Sequence, residues 1–512
     1  MRLNRNILSI SLLIAALVYT LWFVFAGFGN HQDPLYWLYK YQTLEGGWLA
    51  TGTILTGGVI VRLFGAQLLP LRLVGWLCVV GAICLPYYSL LTREQRRDNL
   101  HWLALTFLFM GYGAFQEFSP GTLSILLLSA LWVTQSPIIA GLAIAARLPN
   151  ILVLLVLIPL WKKRNLWNIP ITLLTAGLVY LLGYFFITPA TADAAMNSHE
   201  WLSMLSKLWE NGGKLIGYIL IAIAVLAVGK SSIINHQASI INAIITGLLL
   251  VYFAAYTIKP FQWYNTDLTY LISALTLVIS LYRYIVISKE KFSIFNFQFS
   301  IGAMILVIAT LGTDTAWLKL FPAVLCLLPV AAVYYEPAMR RHLFIVLAIF
   351  SALVIYRMTT NSVGQSNLTK ATTVSSVAPY NHIFIRPAEE KRMLQYKADK
   401  DSLNAEIINQ KSQILSIGQE NHLMRAVTGC RAARFNEFWS NIYDSLYTAK
   451  YQQIIQNEHP VIFCAFSPQF KTKPTYKDRE SRMENMLREE GYREIDRSKY
   501  KYMIYVYDQE IQ

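Results

Sequence analysis

The sequence predicts a polytopic α-helical membrane protein of about thirteen spans, ending in a C-terminal extracytoplasmic α/β domain. Three observations carry that prediction. The 512-residue chain is 55% hydrophobic and 14% charged, where a soluble chain has roughly a quarter of its residues charged. Apolar runs long enough to span a bilayer recur from Ile7 to Tyr356 and stop after Arg357. The formal charge of +14 is unevenly spread: the tail from Met358 holds 21 Lys/Arg against 18 Asp/Glu. Most of the excess belongs to the apolar part, as a topology signal and not a nucleic-acid footprint. The chain therefore divides into a membrane domain, residues 1–357, and a tail, residues 358–512.

The charged start Met1–Asn6 resembles a signal peptide, but the apolar run Ile7–Phe28 is too long for one and reads as a retained anchor. Arg2/Arg5, Arg93/Arg96/Arg97, Lys162–Arg164, Lys230, Lys289/Lys291 and Arg340/Arg341 are placed on the cytoplasmic side. Parity then allows one full span between Asn30 and Leu91, and Leu71–Leu91 is the better candidate. The stretch Gly47–Phe64, broken by Gly47, Gly52, Gly57, Gly58 and Arg62, reads as a surface-lying or partly inserted outer helix.

Further spans are expected at Leu100–Phe115 and Gly121–Val133. A short pair follows, Pro137–Ala146 and Asn150–Trp161, with Arg147–Asn150 at its outer bend. The later spans are Ile169–Ile187, Leu215–Val228, Ala238–Thr257, Leu268–Ile287, Ile301–Leu311, Lys319–Tyr335 and Leu343–Tyr356. The last runs outward, which sets the tail outside the cytoplasm. There, helical periodicity over Ala388–Ile414, Arg431–Ile455 and Met483–Glu490 alternates with strand-like runs at His382–Arg386, Val461–Phe466 and Tyr502–Tyr507. Of the five cysteines, Cys430 and Cys464 could pair in an oxidising compartment. Cys78, Cys84 and Cys326 read as apolar fillers.

Chemistry-bearing residues collect in the outer loops. Asp33, in Gly29–Tyr36 just past the first span, is a carboxylate at a bilayer face suited to general-base work. It is equally a good helix opener before Pro34. Tyr36 follows it in an aromatic stretch; such residues also serve as interfacial anchors. Glu117 precedes the helix start Ser119–Pro120, where it either serves the reaction or caps the helix. Arg147 at the bend suits an anionic headgroup such as phosphate, or snorkels, or pairs with Glu117. Lys259 lies in a later aromatic-polar loop with Gln262, Trp263, Tyr264 and Asp267. No Walker loop, HExxH, CxxC or Gly-x-Ser-x-Gly is present.

The segment Asp33 to Arg72 resembles the GT-C class of membrane glycosyltransferases, which use polyprenyl-phosphate-linked sugars. The resemblance rests on Asp33 with Tyr36, the Leu44–Gly47 step, the glycine-rich helix ending at Arg62–Gly65, and Pro70–Arg72 opening the next span. Arg147–Asn150, followed by Pro159–Trp161 and a basic turn, is similar to a second element of that class. The resemblance implies Asp33 as the base that activates the acceptor, and inversion as the lipid phosphate leaves. It further implies Arg147, with Lys259, on that phosphate, and Glu117 on the acceptor or on a divalent metal, because some members are metal-dependent. The implied partners are a polyprenyl-phosphate-linked sugar, membrane lipids, and a glycan, lipid or protein acceptor at the outer face of a bacterial inner membrane. An O-antigen-type polymerase, a lipid or polysaccharide transporter and a non-catalytic assembly protein remain alternatives.

Overall fold

The computed structural model describes residues 2–27, 33–46, 48–110, 117–162, 165–189, 216–220, 294–308, 320–334, 337–360, 368–406, 414–417, 421–429, 431–432, 452–464, 481, 484–495 and 503–507. Among the described residues as far as Pro189, the α-helices in chain order are α1 (Arg2–Phe25), α2 (Asp33–Thr43), α3 (Thr51–Phe64), α4 (Leu68–Leu90), α5 (Arg93–Asp98), α6 (Leu100–Met110), α7 (Pro120–Thr134), α8 (Pro137–Ala146), α9 (Val153–Lys162) and α10 (Asn168–Phe186). Among the described residues, α4, α10 and the Ile7–Phe25 stretch of α1 are long and apolar enough to cross a membrane. α1 shows why composition demands lipid. Ile7, Leu8, Ile10, Ile14, Val18 and Trp22 are exposed along it, while Ala16 and Phe23 are buried in the core that includes α6. An apolar strip of that extent belongs against hydrocarbon.

Helices Ile294–Ile308, Leu320–Ala331 and Pro337–Thr360 match the last three expected spans to within a turn or two. The spans expected at Ala238–Thr257 and Leu268–Ile287 lie outside the described residues, as does Leu215–Val228 apart from residues 216–220.

α3 is too short to cross. Its 14 residues rise about 21 Å at 1.5 Å each, against a hydrocarbon core of about 30 Å. The glycines that interrupt its sequence are contact points. A Cβ on Gly57 would fall inside the Tyr41 ring of α2, and one on Gly52 would meet the Ala145 backbone of α8 at 3.0 Å. α3 is thus a flat spacer between α2 and α8, its Val59, Leu63 and Phe64 left exposed. A two-residue parallel pair, β1 (Glu45–Gly46) with β2 (Thr188–Pro189), ties the end of the first loop to the end of α10.

The tail opens with a small antiparallel pair, β3 (Thr373–Val374) and β4 (Phe384–Ile385). A five-stranded mixed sheet follows in the order β6-β5-β7-β9-β8. β5 (Ile414–Ile417), β6 (Arg431–Ala432) and β7 (Val461–Cys464) run parallel, while β9 (Met503–Tyr507) runs antiparallel to both its neighbours, β7 and β8 (Tyr492–Glu494). β4, β7 and β9 lie on the three runs that read as strands. Two differences stand out. The helix expected to reach Ile414 is described as far as Glu406, and Ile414–Ile417 is not helical but the middle one of the three parallel strands, β5. The helix expected from Arg431 begins instead with β6, and an unexpected helix, Asn421–Thr428, precedes it. Strand 414–417 alternates too briefly to stand out from the helical run before it. Cys464 is buried in β7, whereas Cys430 lies outside the described residues.

The division at residue 357 is one of composition, not of packing. Leu35, Leu38, Tyr41, Leu68 and Leu71 share one apolar core with Val377, Tyr380, Ile383 and Ile385 of the tail. The segment Val377–Ile385 is wedged between the end of α1 and the start of α4. Phe384 accepts a hydrogen bond from Gly27 N–H at 2.7 Å and stacks on Trp22 with ring centroids 5.7 Å apart. Pro379 accepts from Leu68 N–H at 3.0 Å.

The glycine contacts make a paired prediction. Gly57→Ala forces its methyl into the Tyr41 ring and should cost about 1–3 kcal/mol, read as a lower midpoint of thermal unfolding in detergent. Gly177→Ala in α10, where a Cβ meets nothing within 4 Å, should leave that midpoint unchanged or raise it.

Candidate active site

The site is built where α2, the start of α4 and the approach to α7 converge beneath the tail. α2 begins at Asp33. Tyr36, Trp37 and Lys40 are spaced so that they occupy one face of the helix. On that face the Lys40 amine is buried, 4.7 Å from the Tyr36 ring centroid and 5.7 Å from that of Trp37. The tail helix Asn421–Thr428 covers α2. His422 meets Tyr36 edge-on at 5.7 Å, and the Arg425 guanidinium lies 3.8 Å over Tyr39. The Tyr39 hydroxyl donates to Glu45 Oε2 at 2.6 Å.

The other side of α2 holds Glu117 in place. The Tyr41 hydroxyl donates to the Phe118 carbonyl at 3.0 Å, and Phe118 N–H donates to the Leu71 carbonyl at 2.8 Å. α4 passes so close that a Cβ on Gly75 would collide with the Glu117 backbone, so only glycine allows the approach. Glu117 is not the cap of α7. Ser119 fills that position, in a capping box with Thr122. Glu117 is 8% exposed and Arg72 is 1% exposed. Each lies within the other's field, and Arg72 Nη1 donates to the Gly27 carbonyl at 3.0 Å. Burial, reinforced by Glu117 and Cys78, pushes the Tyr41 phenol well above its ordinary range, so it acts as a donor.

Arg147 stands at the bend after α8, 7% exposed. Burial draws its guanidinium down to about 10, still a cation at neutral pH. The bend is tightly held. The Thr53 hydroxyl of α3 donates to the Ala146 carbonyl at 2.8 Å, and Asn150 Nδ2 donates to the Ala143 carbonyl at 2.8 Å and to Ser124 Oγ at 3.0 Å. α3 therefore touches both centres, Tyr41 through Gly57 and the Arg147 bend through Gly52 and Thr53.

Of the residues singled out in the sequence, Tyr36, Glu117 and Arg147 are thus set around the α2–α3–α4 cluster, and Asp33 opens α2. Lys259 lies outside the described residues, as do Gln262 and Asp267. Among the described residues no three His, Cys, Asp or Glu side chains gather as a metal site would require. Arg72 and Tyr380 are additions. A lone arginine in an otherwise apolar span was the available signal for Arg72; nothing local marks Tyr380.

No protein-family model matches the chain, and no curated protein matches it. Two crystal structures of ArnT from Cupriavidus metallidurans align with it over nearly the whole length. The one bound to undecaprenyl phosphate shares 11% identity over 98% of both chains at a TM-score of 0.38. The apo form shares 13% over 97% of both chains at 0.36. At scores this low the likeness is weak.

Two substitutions separate the contacts that hold Glu117. Tyr41→Phe leaves the buried Phe118 carbonyl without its donor and should cost about 1–3 kcal/mol. Gly75→Ala meets backbone that cannot rotate away, and should lower the unfolding midpoint further than Tyr41→Phe does.

Proposed function

We propose that this chain is an integral membrane glycosyltransferase of the GT-C type. It moves a sugar from a polyprenyl-phosphate donor to an envelope glycan, lipid or protein at the outer face of the membrane. The observation that carries this reading is that four charges are buried among apolar helices: Lys40 on the helix that begins at Asp33, Arg72 and Glu117 beside that helix, and Arg147 at the bend on the far side of α3. Burying charge among apolar helices is costly and serves chemistry more often than stability. The resemblance of Asp33–Arg72 to GT-C enzymes gives that set its roles.

In the proposed reaction the acceptor hydroxyl oxygen attacks the anomeric carbon from the face opposite the phosphate. The bond from that carbon to the phosphate oxygen breaks, and the lipid phosphate leaves with the electron pair, inverting the anomeric centre. The hydroxyl proton passes to the Asp33 carboxylate. Phosphate is a good leaving group, so no acid need protonate it. Arg147, with Lys259, compensates the charge it carries away, and the planar fork of Arg147 suits two phosphate oxygens. Glu117 orients the acceptor, and Tyr36 flanks it. The tail guides the acceptor in from outside the cytoplasm.

The test uses membranes carrying wild type or Asp33→Asn, given radiolabelled polyprenyl-phosphate sugars, with label followed into envelope glycans. Transfer should fall by about 10²–10⁴-fold in Asp33→Asn at equal protein level. Arg147→Lys should retain more transfer than Arg147→Met, because it keeps charge without the fork. Equal transfer by wild type and Asp33→Asn removes Asp33 from the chemistry. A wild type that releases polymerised glycan without using the labelled donor points to a polymerase.

A further inference from the structure

A series of direct contacts runs from the tail to the far end of α10. The guanidinium of Arg425, in the tail helix Asn421–Thr428, lies 3.8 Å over the Tyr39 ring of α2. The Tyr39 hydroxyl donates to Glu45 Oε2 at 2.6 Å. Glu45 opens β1 and pairs in parallel with Thr188 of β2, two residues beyond the end of α10. Thr188 N–H in turn donates to the Leu44 carbonyl at 2.9 Å. The tail helix is itself tied down, because Lys400 Nζ of the helix Pro387–Glu406 donates to the Thr428 carbonyl.

The chain between α2 and β1 is under constraint. Leu44, directly after α2, has a φ of +51°, a left-handed conformation that is costly for a side chain with a Cβ. Such a residue persists where its surroundings over-determine it. A two-residue ladder is too short to do so alone. The Thr43 hydroxyl donates to the Tyr39 carbonyl at 2.9 Å and accepts from Glu45 N–H at 3.3 Å, but both bonds are exposed to water. The bond from Tyr39 to the Glu45 carboxylate is shorter, part-buried and charge-assisted, and is the strongest of these. A cation over the ring face draws electron density from the phenol and makes its hydroxyl a better donor.

The geometry points to a relay through Tyr39 that makes the seating of the tail helix set the β1–β2 pair. Arg425 polarises the hydroxyl, the hydroxyl holds Glu45, and Glu45 holds the reversal at Leu44 on which the Thr188 bond depends. The ends of α2 and α10 are locked together while the tail helix lies on α2, and loosen when it lifts. The relay is defined by contacts alone and does not rest on the glycosyltransferase reading.

The test is amide hydrogen exchange on the full chain in detergent, read by mass spectrometry. Peptides covering residues 183–189 report the Thr188 amide. Peptides covering Gly27, whose N–H donates to Phe384 of the tail, report whether the tail stays seated. Tyr39→Phe keeps the ring under Arg425 and removes the hydroxyl. It should speed exchange at Thr188 by about five- to tenfold with Gly27 at its wild-type rate. Glu45→Gln, which keeps an acceptor without the charge, should fall between wild type and Tyr39→Phe. Arg425→Met should speed Thr188 exchange by about two- to threefold in the wild-type background and add nothing in Tyr39→Phe. Wild-type exchange at Thr188 in Tyr39→Phe overturns the relay. An Arg425→Met effect of equal size with and without the Tyr39 hydroxyl also overturns it, because the coupling then bypasses that group. Faster exchange at Gly27 in Tyr39→Phe marks general loosening and counts against the relay in the same way.

Discussion

The end of α1, the approach to α7 and the start of the tail are arranged around a guanidinium taken out of water. Arg72 is fully buried one turn into an apolar helix, a position that costs several kcal/mol unless the charge is met. The carbonyl at the end of α1, the carboxylate before α7 and the phenol from the tail lie around it. Each comes from a different stretch of chain, so one buried side chain draws together a backbone carbonyl, a carboxylate and a phenol. That recruitment fixes where α1 must stop, how close the 117–118 backbone comes to α4, and where the tail must dock.

α3 answers a different constraint, one of spacing. α2 and α8 are held at a fixed and small distance from the short helix between them. Glycine sets that distance on both sides of α3: against an aromatic ring at Gly57 and against bare backbone at Gly52. Larger residues would widen the gap on either side, and the Thr53 hydroxyl bonded to Ala146 fixes the registry.

Much of the scaffold was legible in the amino-acid sequence, because membrane spans are written in uninterrupted apolar length and helix starts in local chemistry. Leu71–Leu91 and Ile169–Ile187 correspond to α4 and α10, and Ser119–Pro120 opens α7. The glycines of Gly47–Phe64 weakened it as a span but could not say what they touch, since contact is a property of the partner. Glu117 was ambiguous between cap and site until Ser119 was seen to do the capping. Arg72 showed as the end of the Pro70–Arg72 step that opens a span, with nothing local to say what would meet its charge. Tyr380 was invisible, because its neighbours Ala378, Pro379 and Asn381 describe an ordinary loop, and its buried surroundings come from residues near the other end of the chain. Ile414–Ile417 was hidden behind the helical pattern preceding it.

The wedge formed by Val377–Ile385 bears on the order in which the protein is made. Synthesis runs from the N-terminus, so α1, α4 and the start of α7 are in the bilayer well before residue 384 leaves the ribosome. During that interval Arg72 and Glu117 lack the tail residues that later enclose them, and Gly27 lacks its Phe384 acceptor. The site closes only after Val377–Ile385 has been made and has packed against α1 and α4. A chain cut short between Arg147 and Val377 carries Arg72, Glu117 and Arg147 and yet lacks the segment that packs over the start of α4, so assembly itself discriminates such fragments from chains that contain it.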